Sequence, residues 1–369
     1  MSSIDAAWLG MEDPTNLMMV TGVMVLDGKL DIRRLRLLLD RRLAPFSRFH
    51  QRVVRPRSRG NLPHWEDDPH FGIHSHISHV ALPAPGGDAA LRDMVSDLMS
   101  MQLDFTKPLW HVHVIDGYGN ASVMLVRVHH SIADGIALVR VLLSLTDESP
   151  KARAAAAPAE RPAPGFRLSL DWLPSAVGRG FAAGQDLLNN PEKMVDAARV
   201  GAHGAYRLGR MVVLPADPRT VFKGKLGRSK RAAWSQPVPL DDFKAIGKAF
   251  GATVNDVLVA AATGALRRYM EKVGQPTAGV AIRASVPVNL RPPADGHKMG
   301  NAFGLVFLTL PIGIVDPVRR IRVIKQEMDE LKRSPEALVS FGVLTLMGLG
   351  RWRSSSLACV SSAAKPPLS

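Results

Sequence analysis

The sequence predicts an α/β (α+β) protein of two modules joined by a proline-rich connector. Its 369 residues exceed what one ordinary hydrophobic core takes up. Strand-like and helix-like segments alternate on both sides of the middle. At residues 148–165, ESPKARAAAAPAERPAPG, alanine and proline take over as in a linker. The expected division is a first module at 1–147, a connector with its own helices at 148–212, a second module at 213–350 and a tail at 351–369. The tail, RWRSSSLACVSSAAKPPLS, has no periodicity and reads as disordered.

The elements follow in order. Residues 18–26 are apolar enough for a buried strand. DIRRLRLLLDRRLA at 31–44 is a helix, with Asp31 as N-cap and Leu35, Leu38, Leu39 and Leu43 on one stripe. A strand is expected at 50–55. GIHSHISHV at 72–80 and HVHVI at 111–115 alternate with period two and predict strands, and 90–103 between them has helical spacing. Residues 121–129 are a strong strand and 133–145 a helix. Beyond the connector come helices near 167–186 and 191–211. The second module begins with a strand near 231–236 and helices at 240–250 and 253–273. Strands at 278–286 and 302–310 and helices at 316–333 and 336–350 complete it.

Composition narrows the class. Hydrophobic residues make up 46% and charged residues 22%, the range of a globular protein. A net charge of +14, mostly from arginine, favours anionic partners: an acidic membrane surface, a phosphate-rich cofactor or nucleic acid. Nucleic acid is disfavoured, because no recognised motif or aromatic platform accompanies the charge. A single cysteine, Cys359, excludes an internal disulfide framework and fits a reducing cytosol. The N-terminus lacks a signal-peptide core. No uncharged apolar run reaches membrane-spanning length, and the longest candidate, 301–315, is interrupted by Pro311. The expected location is the cytoplasm, with peripheral membrane or lipid-inclusion contact.

The segment VRVHHSIADGIALVR, residues 126–140, carries the chemistry. Ser122, Met124, Val126, Val128 and His130 share one strand face, and Ala121, Val123, Leu125, Arg127 and His129 the other. Both faces are largely apolar, so the strand is expected to be buried on both sides. Only one of the two histidines can face a given cleft. An imidazole titrates near neutrality and suits proton removal from an alcohol or thiol, a contribution of about 10²–10⁴-fold in rate. Asp134 and Gly135 follow at the entry to the next helix, where the aspartate fits an N-cap or an arginine partner. A strand-end histidine with a purely structural role fits the same residues. The spacing lacks the i, i+4 helical pair of a zinc site, so no metal is expected.

HHSIADG resembles the HHxxxDG signature of acyltransferases with the chloramphenicol acetyltransferase and condensation-domain fold. Within them the chain is most similar to the bacterial wax ester synthase/diacylglycerol acyltransferase family. The opening SSIDAAWLGMEDPTNLMMVTGVMVLDG, the PLW segment (Pro108, Leu109, Trp110) and the ND segment (Asn255, Asp256) resemble that family's motifs. So do VPVNLRPP (Pro287, Asn289, Arg291) and MGNAFG (Gly300, Asn301). These matches run in order from residue 4 to about 350. The resemblance implies two chloramphenicol acetyltransferase-like halves with mixed sheets, flanking helices and an active-site tunnel at their interface. It implies that His130 is the base toward the acceptor hydroxyl, that His129 supports it, and that Asp134 pairs with an arginine. Arg48 and Arg52 are both candidates for that arginine. Gly135 would let the backbone approach the cleft. Acyl-CoA would be the co-substrate, diacylglycerol or a long-chain alcohol the acceptor, and no cofactor or covalent enzyme intermediate would be needed.

The remaining motif residues carry two readings each. Capping at the helix start explains Asn255 and Asp256, and the resemblance adds an interdomain role. Asn301 fits a residue that satisfies backbone at a strand start. Ser285, Asn289 and Arg291 follow a strand and are candidates for contact with CoA. The pairs His74/His76 and His111/His113 are expected to be half-exposed strand residues rather than metal ligands. The arginine-rich segment 33–59 and the basic segment 207–231 are either solvated faces or a surface for anionic lipid. The family pattern continues past the last helix, so the tail after Arg351 is expected to mark a truncation that leaves the second half incomplete. Two alternatives therefore stand beside the acyltransferase: a truncated, inactive paralogue that binds lipid surfaces, and a carrier-dependent acyltransferase of the same fold.

Overall fold

The computed structural model describes residues 1–55, 62–147, 217–291, 299–332 and 340–342. The connector, its expected helices, the tail and most of the helix expected at 336–350 lie outside the described residues.

The first module is built on a four-stranded sheet. Its strands are β1 (Met19–Leu26), β4 (Ile77–Ala81), β5 (Trp110–Tyr118) and β6 (Ala121–His129), in the order β1-β6-β5-β4. β6 runs antiparallel to β1 and β5, while β4 lies parallel to β5. β6 is central and buried on both faces, as its double apolar pattern requires. On one face Val112, Val114, Met124 and Val128 pack with α2 (Ile32–Leu43) and α4 (Gly135–Ser144) through Leu39, Leu43, Ala137 and Val141. On the other, Ile115, Val123 and Leu125 pack on α3 (Asp88–Ser100) through Leu91 and Val95. Each such side chain contributes about 1.5–3 kcal/mol when fully buried. The helices begin as the sequence dictates: Asp31 accepts from the N–H groups of Arg33 and Arg34 to cap α2. α1 (Ser3–Gly10) precedes the sheet, and β2 (Gln51–Val54) and β3 (His64–Asp67) form a separate antiparallel ribbon.

In the second module α5 (Leu240–Phe250), α6 (Val254–Lys272) and α7 (Pro317–Lys332) accompany an antiparallel pair, β7 (Ile282–Asn289) and β8 (Phe303–Leu310). Ala260 and Met270 of α6, Leu308 and Leu310 of β8, and Ile321, Ile324 and Met328 of α7 form its core.

Four expectations change. β1 is an edge strand rather than a buried one, with Val23 39% and Val25 52% exposed, because among the described residues it pairs only with β6. The period-two segment at 72–80 splits into a short 3₁₀ turn, Ile73–His76, and β4. The strand near 231–236 is an extended segment with no strand partner among the described residues. The N–H groups of Lys230 and Ala232 donate instead to Ser100 Oγ and Ser96 Oγ of α3, at 2.7 and 2.9 Å. The strand expected at 278–286 starts later, at Ile282. No single described helix is long and apolar enough to cross a membrane. α5 and α6 combine the length and apolarity required only when taken together, across a 101° bend.

Candidate active site

The end of β6 delivers the two histidines to different places. His130 leaves the sheet toward α1 and the second module. Its ring stacks on Trp8 at 4.2 Å between centroids and an angle of 14°, and Phe303 of β8 lies 5.6 Å away. Its Nδ1 lies 2.9 Å from Asn301 Oδ1. Burial pushes the His130 imidazole below the ordinary histidine range. Hydrogen bonding and the nearby Asp134 carboxylate act upward and do not offset it. The ring is therefore neutral at pH 7.

His129 points to the opposite face of the sheet, into the module. The Ser131 N–H donates to His129 Nδ1 at 3.0 Å, so that nitrogen is an acceptor and the proton sits on Nε2. Nε2 faces the Glu12 carboxylate at 3.6 Å. Phe105 packs edge-on against the ring. With 1% exposure, His129 is part of the core.

Asp134 is the fastening between modules. Its Oδ1 accepts from the Ala137 N–H at 2.9 Å and caps α4, as the sequence predicts. Its Oδ2 accepts from Arg291 Nη2 at 2.7 Å and from the Ala302 N–H at 3.0 Å. The arginine partner is thus Arg291, not Arg48 or Arg52. Arg52 pairs with Glu66, and Arg48 pairs with Asp5 at 3.0 Å while donating to the Ser131 and Ile132 carbonyls. Arg291 also donates to the Gly300 carbonyl at 2.6 Å, so its guanidinium closes a buried interface and is not held out toward a ligand. Gly300 has φ +101°, and a Cβ there would meet the Arg48 guanidinium at 3.1 Å. Both constraints demand glycine.

Asn301 does more than satisfy a strand start. Its Nδ2 donates to Asp5 Oδ1 and to the His130 carbonyl, both at 2.7 Å, and its own N–H donates to Asp5 Oδ1 at 3.1 Å. Asp5 is fully buried, on α1. Asp5 and Trp8 belong to the opening motif, but nothing in their spacing assigns them to His130.

The other motif residues lie elsewhere. Pro108, Leu109 and Trp110 are buried behind the histidines. The Leu109 carbonyl accepts from the His129 N–H at 2.9 Å, and the Trp110 indole donates to the Phe49 carbonyl at 2.8 Å. They hold the strand end rather than line a cleft. Asp256 and Thr253 form a reciprocal capping box at the start of α6, which accounts for the aspartate, and Asn255 beside it is half-buried. Asn289 accepts from the Arg291 N–H and shapes that turn. Gly135 has an ordinary φ, and a Cβ there would meet nothing within 4 Å, so neither backbone nor packing demands glycine. His76, with 2% exposure, and His113 are buried rather than half-exposed, and His74 faces solvent. No cluster of three or more potential metal ligands occurs among the described residues.

The family model described as the wax ester synthase/diacylglycerol acyltransferase catalytic domain matches residues 1–258, with both histidines, Asp134 and the α1 motif inside it. The chain belongs to the wax ester synthase/diacylglycerol acyltransferase family. It is an acyltransferase. That family's C-terminal domain model matches residues 299–361. This match runs past Arg351 and does not support the truncation expected there. Among its relatives, a Mycobacterium tuberculosis protein named "Probable diacyglycerol O-acyltransferase tgs1" is 29% identical over 344 residues, 90% of this chain and 71% of its own. A second relative from that organism, also named a diacyglycerol O-acyltransferase, is 32% identical over 88% of this chain and 65% of its own. Among solved structures, the wax ester synthase/diacylglycerol acyltransferase from Marinobacter aquaeolei VT8 matches with TM-score 0.58 and 25% identity, over 93% of this chain and 74% of that one. The first condensation domain of the calcium-dependent antibiotic synthetase matches with TM-score 0.58 at 17% identity, over 95% and 77%. It shares the fold. The expected α/β architecture related to condensation domains is thus present.

Proposed function

We propose that the chain transfers an acyl group from acyl-CoA to the hydroxyl of diacylglycerol or a long-chain alcohol, with His130 as general base between the modules at 1–147 and 213–350. The observation that carries this is the neutral, stacked His130 imidazole at their junction. The acceptor O–H proton passes to the imidazole as the oxygen attacks the thioester carbon. The C–S bond then breaks, and the CoA sulfur leaves with that proton. The step balances without a cofactor. Asp134 and Arg291 hold the loop that carries His130. The tgs1 relative's name favours diacylglycerol as acceptor.

The reaction draws an oily acceptor from a lipid phase, and exposed Arg33, Arg34 and Arg41 on α2 form a basic face for anionic membrane or droplet surfaces. Each such residue adds about 1 kcal/mol near the interface. We place the protein in the cytoplasm, at such surfaces.

The test is thiol release from a long-chain acyl-CoA by the purified 369-residue chain, with diacylglycerol and then hexadecanol as acceptor. Acceptor-dependent release that disappears in His130→Ala is the expected result, and the better acceptor names the product. Release that persists in a folded His130→Ala would remove the base from the mechanism. A folded wild type that binds anionic vesicles without turnover would favour a lipid-binding paralogue.

A further inference from the structure

Resting on the assignment of His130 as base, we propose that Asp5 and Asn301 are positioning residues that reinforce its tautomer, together with the ring's own main-chain carbonyl, leaving Nε2 as the nitrogen that takes the acceptor's proton. The Asn301 side chain presents two different ends, and the hydrogen bonds decide which end faces the ring. Asp5 is a carboxylate whose Oδ1 accepts at 2.7 Å, and the His130 carbonyl, also at 2.7 Å, can only accept. Both must receive hydrogens from Asn301 Nδ2. Its Oδ1 is left toward His130 Nδ1 at 2.9 Å and can only accept, beside the ring's own main-chain carbonyl, which also accepts from it. The imidazole proton therefore sits on Nδ1, and Nε2 keeps a lone pair.

Three segments far apart in sequence build this chain. Asp5 comes from α1, the ring from the residue just after β6 and Asn301 from the turn leading into β8. Arg48 braces it from behind, its Nη2 3.0 Å from Asp5 Oδ2. A buried carboxylate with a guanidinium on one oxygen and two Asn301 donors on the other has no freedom to turn. The Trp8 ring stacked on the imidazole fixes its plane. The first ten residues thus reach the chemistry through the His130 ring. His129 provides the contrast within the same strand end: its Nδ1 accepts from the Ser131 N–H, so its proton is on Nε2. Consecutive imidazoles carry opposite tautomers, and only that of His130 leaves Nε2 bare.

The experiment is a long-range ¹⁵N–¹H correlation spectrum of the histidine-labelled full chain at pH 7, with His130 assigned by its absence from His130→Gln. The expected spectrum has the proton on Nδ1 and a bare Nε2. A proton on Nε2 in the wild type would overturn the proposal outright, whatever the variants do. Asn301→Leu and Asp5→Ala are expected to populate the Nε2–H tautomer. Their kcat should fall roughly tenfold, the rate equivalent of about one hydrogen bond, with KM for acyl-CoA unchanged. Folded variants that keep both kcat and tautomer would also overturn it. The two readings fail separately. If His130→Gln retains acyl transfer, the base assignment falls. If His130→Gln is inactive while Asn301→Leu and Asp5→Ala match wild type, only the positioning role falls.

Discussion

His129 and His130 are consecutive, yet the strand end places them in two regions with different physics. His129 lies on the same sheet face as His111, His113 and Arg127, closed in at 1% exposure. His130 lies at the junction, stacked on a tryptophan from α1 and bonded to an asparagine two residues before β8. The alternation of a β-strand produces this separation without any added device. One imidazole serves the core, and the other is available to a reaction. The contrast shows that residue type and position in a motif do not assign a role; the groups gathered around each ring do.

The largest expected effect separates the two directly. His130→Gln should lower kcat by about 10²–10⁴-fold, the value of a general base, while leaving the thermal midpoint close to wild type. His129→Gln should act mainly on the fold. It strands the Ser131 N–H and breaks a packed core position, at a cost of about 1–3 kcal/mol. Burial holds the His130 pKa down, so its basic form persists below pH 6.5. In wild type kcat/KM should stay level below that point and fall only at lower pH as the imidazole protonates. A profile that breaks above pH 6.5 would contradict the neutral ring.

The next effect tests the junction itself. Asp134 and Arg291 form a buried ion pair at 2.7 Å, both under 10% exposed. Arg291→Met should destabilise the chain by about 3–5 kcal/mol in urea, because it leaves a buried carboxylate uncompensated. Removing both members together should cost less than the sum of the single changes. Equal costs would show that the pair is not the fastening described. Gly300→Ala should cost less, about 1–3 kcal/mol, from a left-handed backbone and a Cβ pressed on Arg48.

How much of this the sequence reveals depends on range. The strand-to-helix passage at HHSIADG is legible because its rules are local. Alternation sets the two faces, and Asp134 caps a helix whose donor is three residues away. The capping box at Thr253 and Asp256 is legible for the same reason. The groups that define the His130 environment are not local. Asn301 is 171 residues from His130, and Arg291 is 157 from Asp134. No periodicity connects them. An arginine-rich chain also offers nearer partners, Arg48 and Arg52, that the folded protein uses elsewhere. The segment at 231–236 predicts a strand yet pairs with none among the described residues, for a related reason. Propensity describes the backbone shape, but only the fold reveals whether a strand or two serine hydroxyls receive it.

The smallest effect belongs to the region of His129 and sharpens the comparison from the core side. His111 and His113 lie with ring centroids 4.5 Å apart, and burial pushes both pKa values down to about 4, with Arg127 adding to the effect. His111 Nε2 meets Ser78 Oγ at 2.8 Å. Neither ring borders the His130 environment, so their titration should register in stability and not in the chemistry. The sign follows from proton counting. Between pH 6.5 and about 4 the unfolded chain binds protons on these imidazoles and the folded chain does not. Their contribution is therefore complete above pH 6.5 and is lost as pH falls toward 4. Urea midpoints measured across that window should decline, and His113→Phe should remove up to one proton from the slope, about 1.4 kcal/mol per pH unit. Its acyl transfer at pH 7 should match wild type. If His113→Phe instead moves the acid limb of kcat/KM and leaves the stability slope unchanged, the two histidine regions are coupled and the division drawn between them fails.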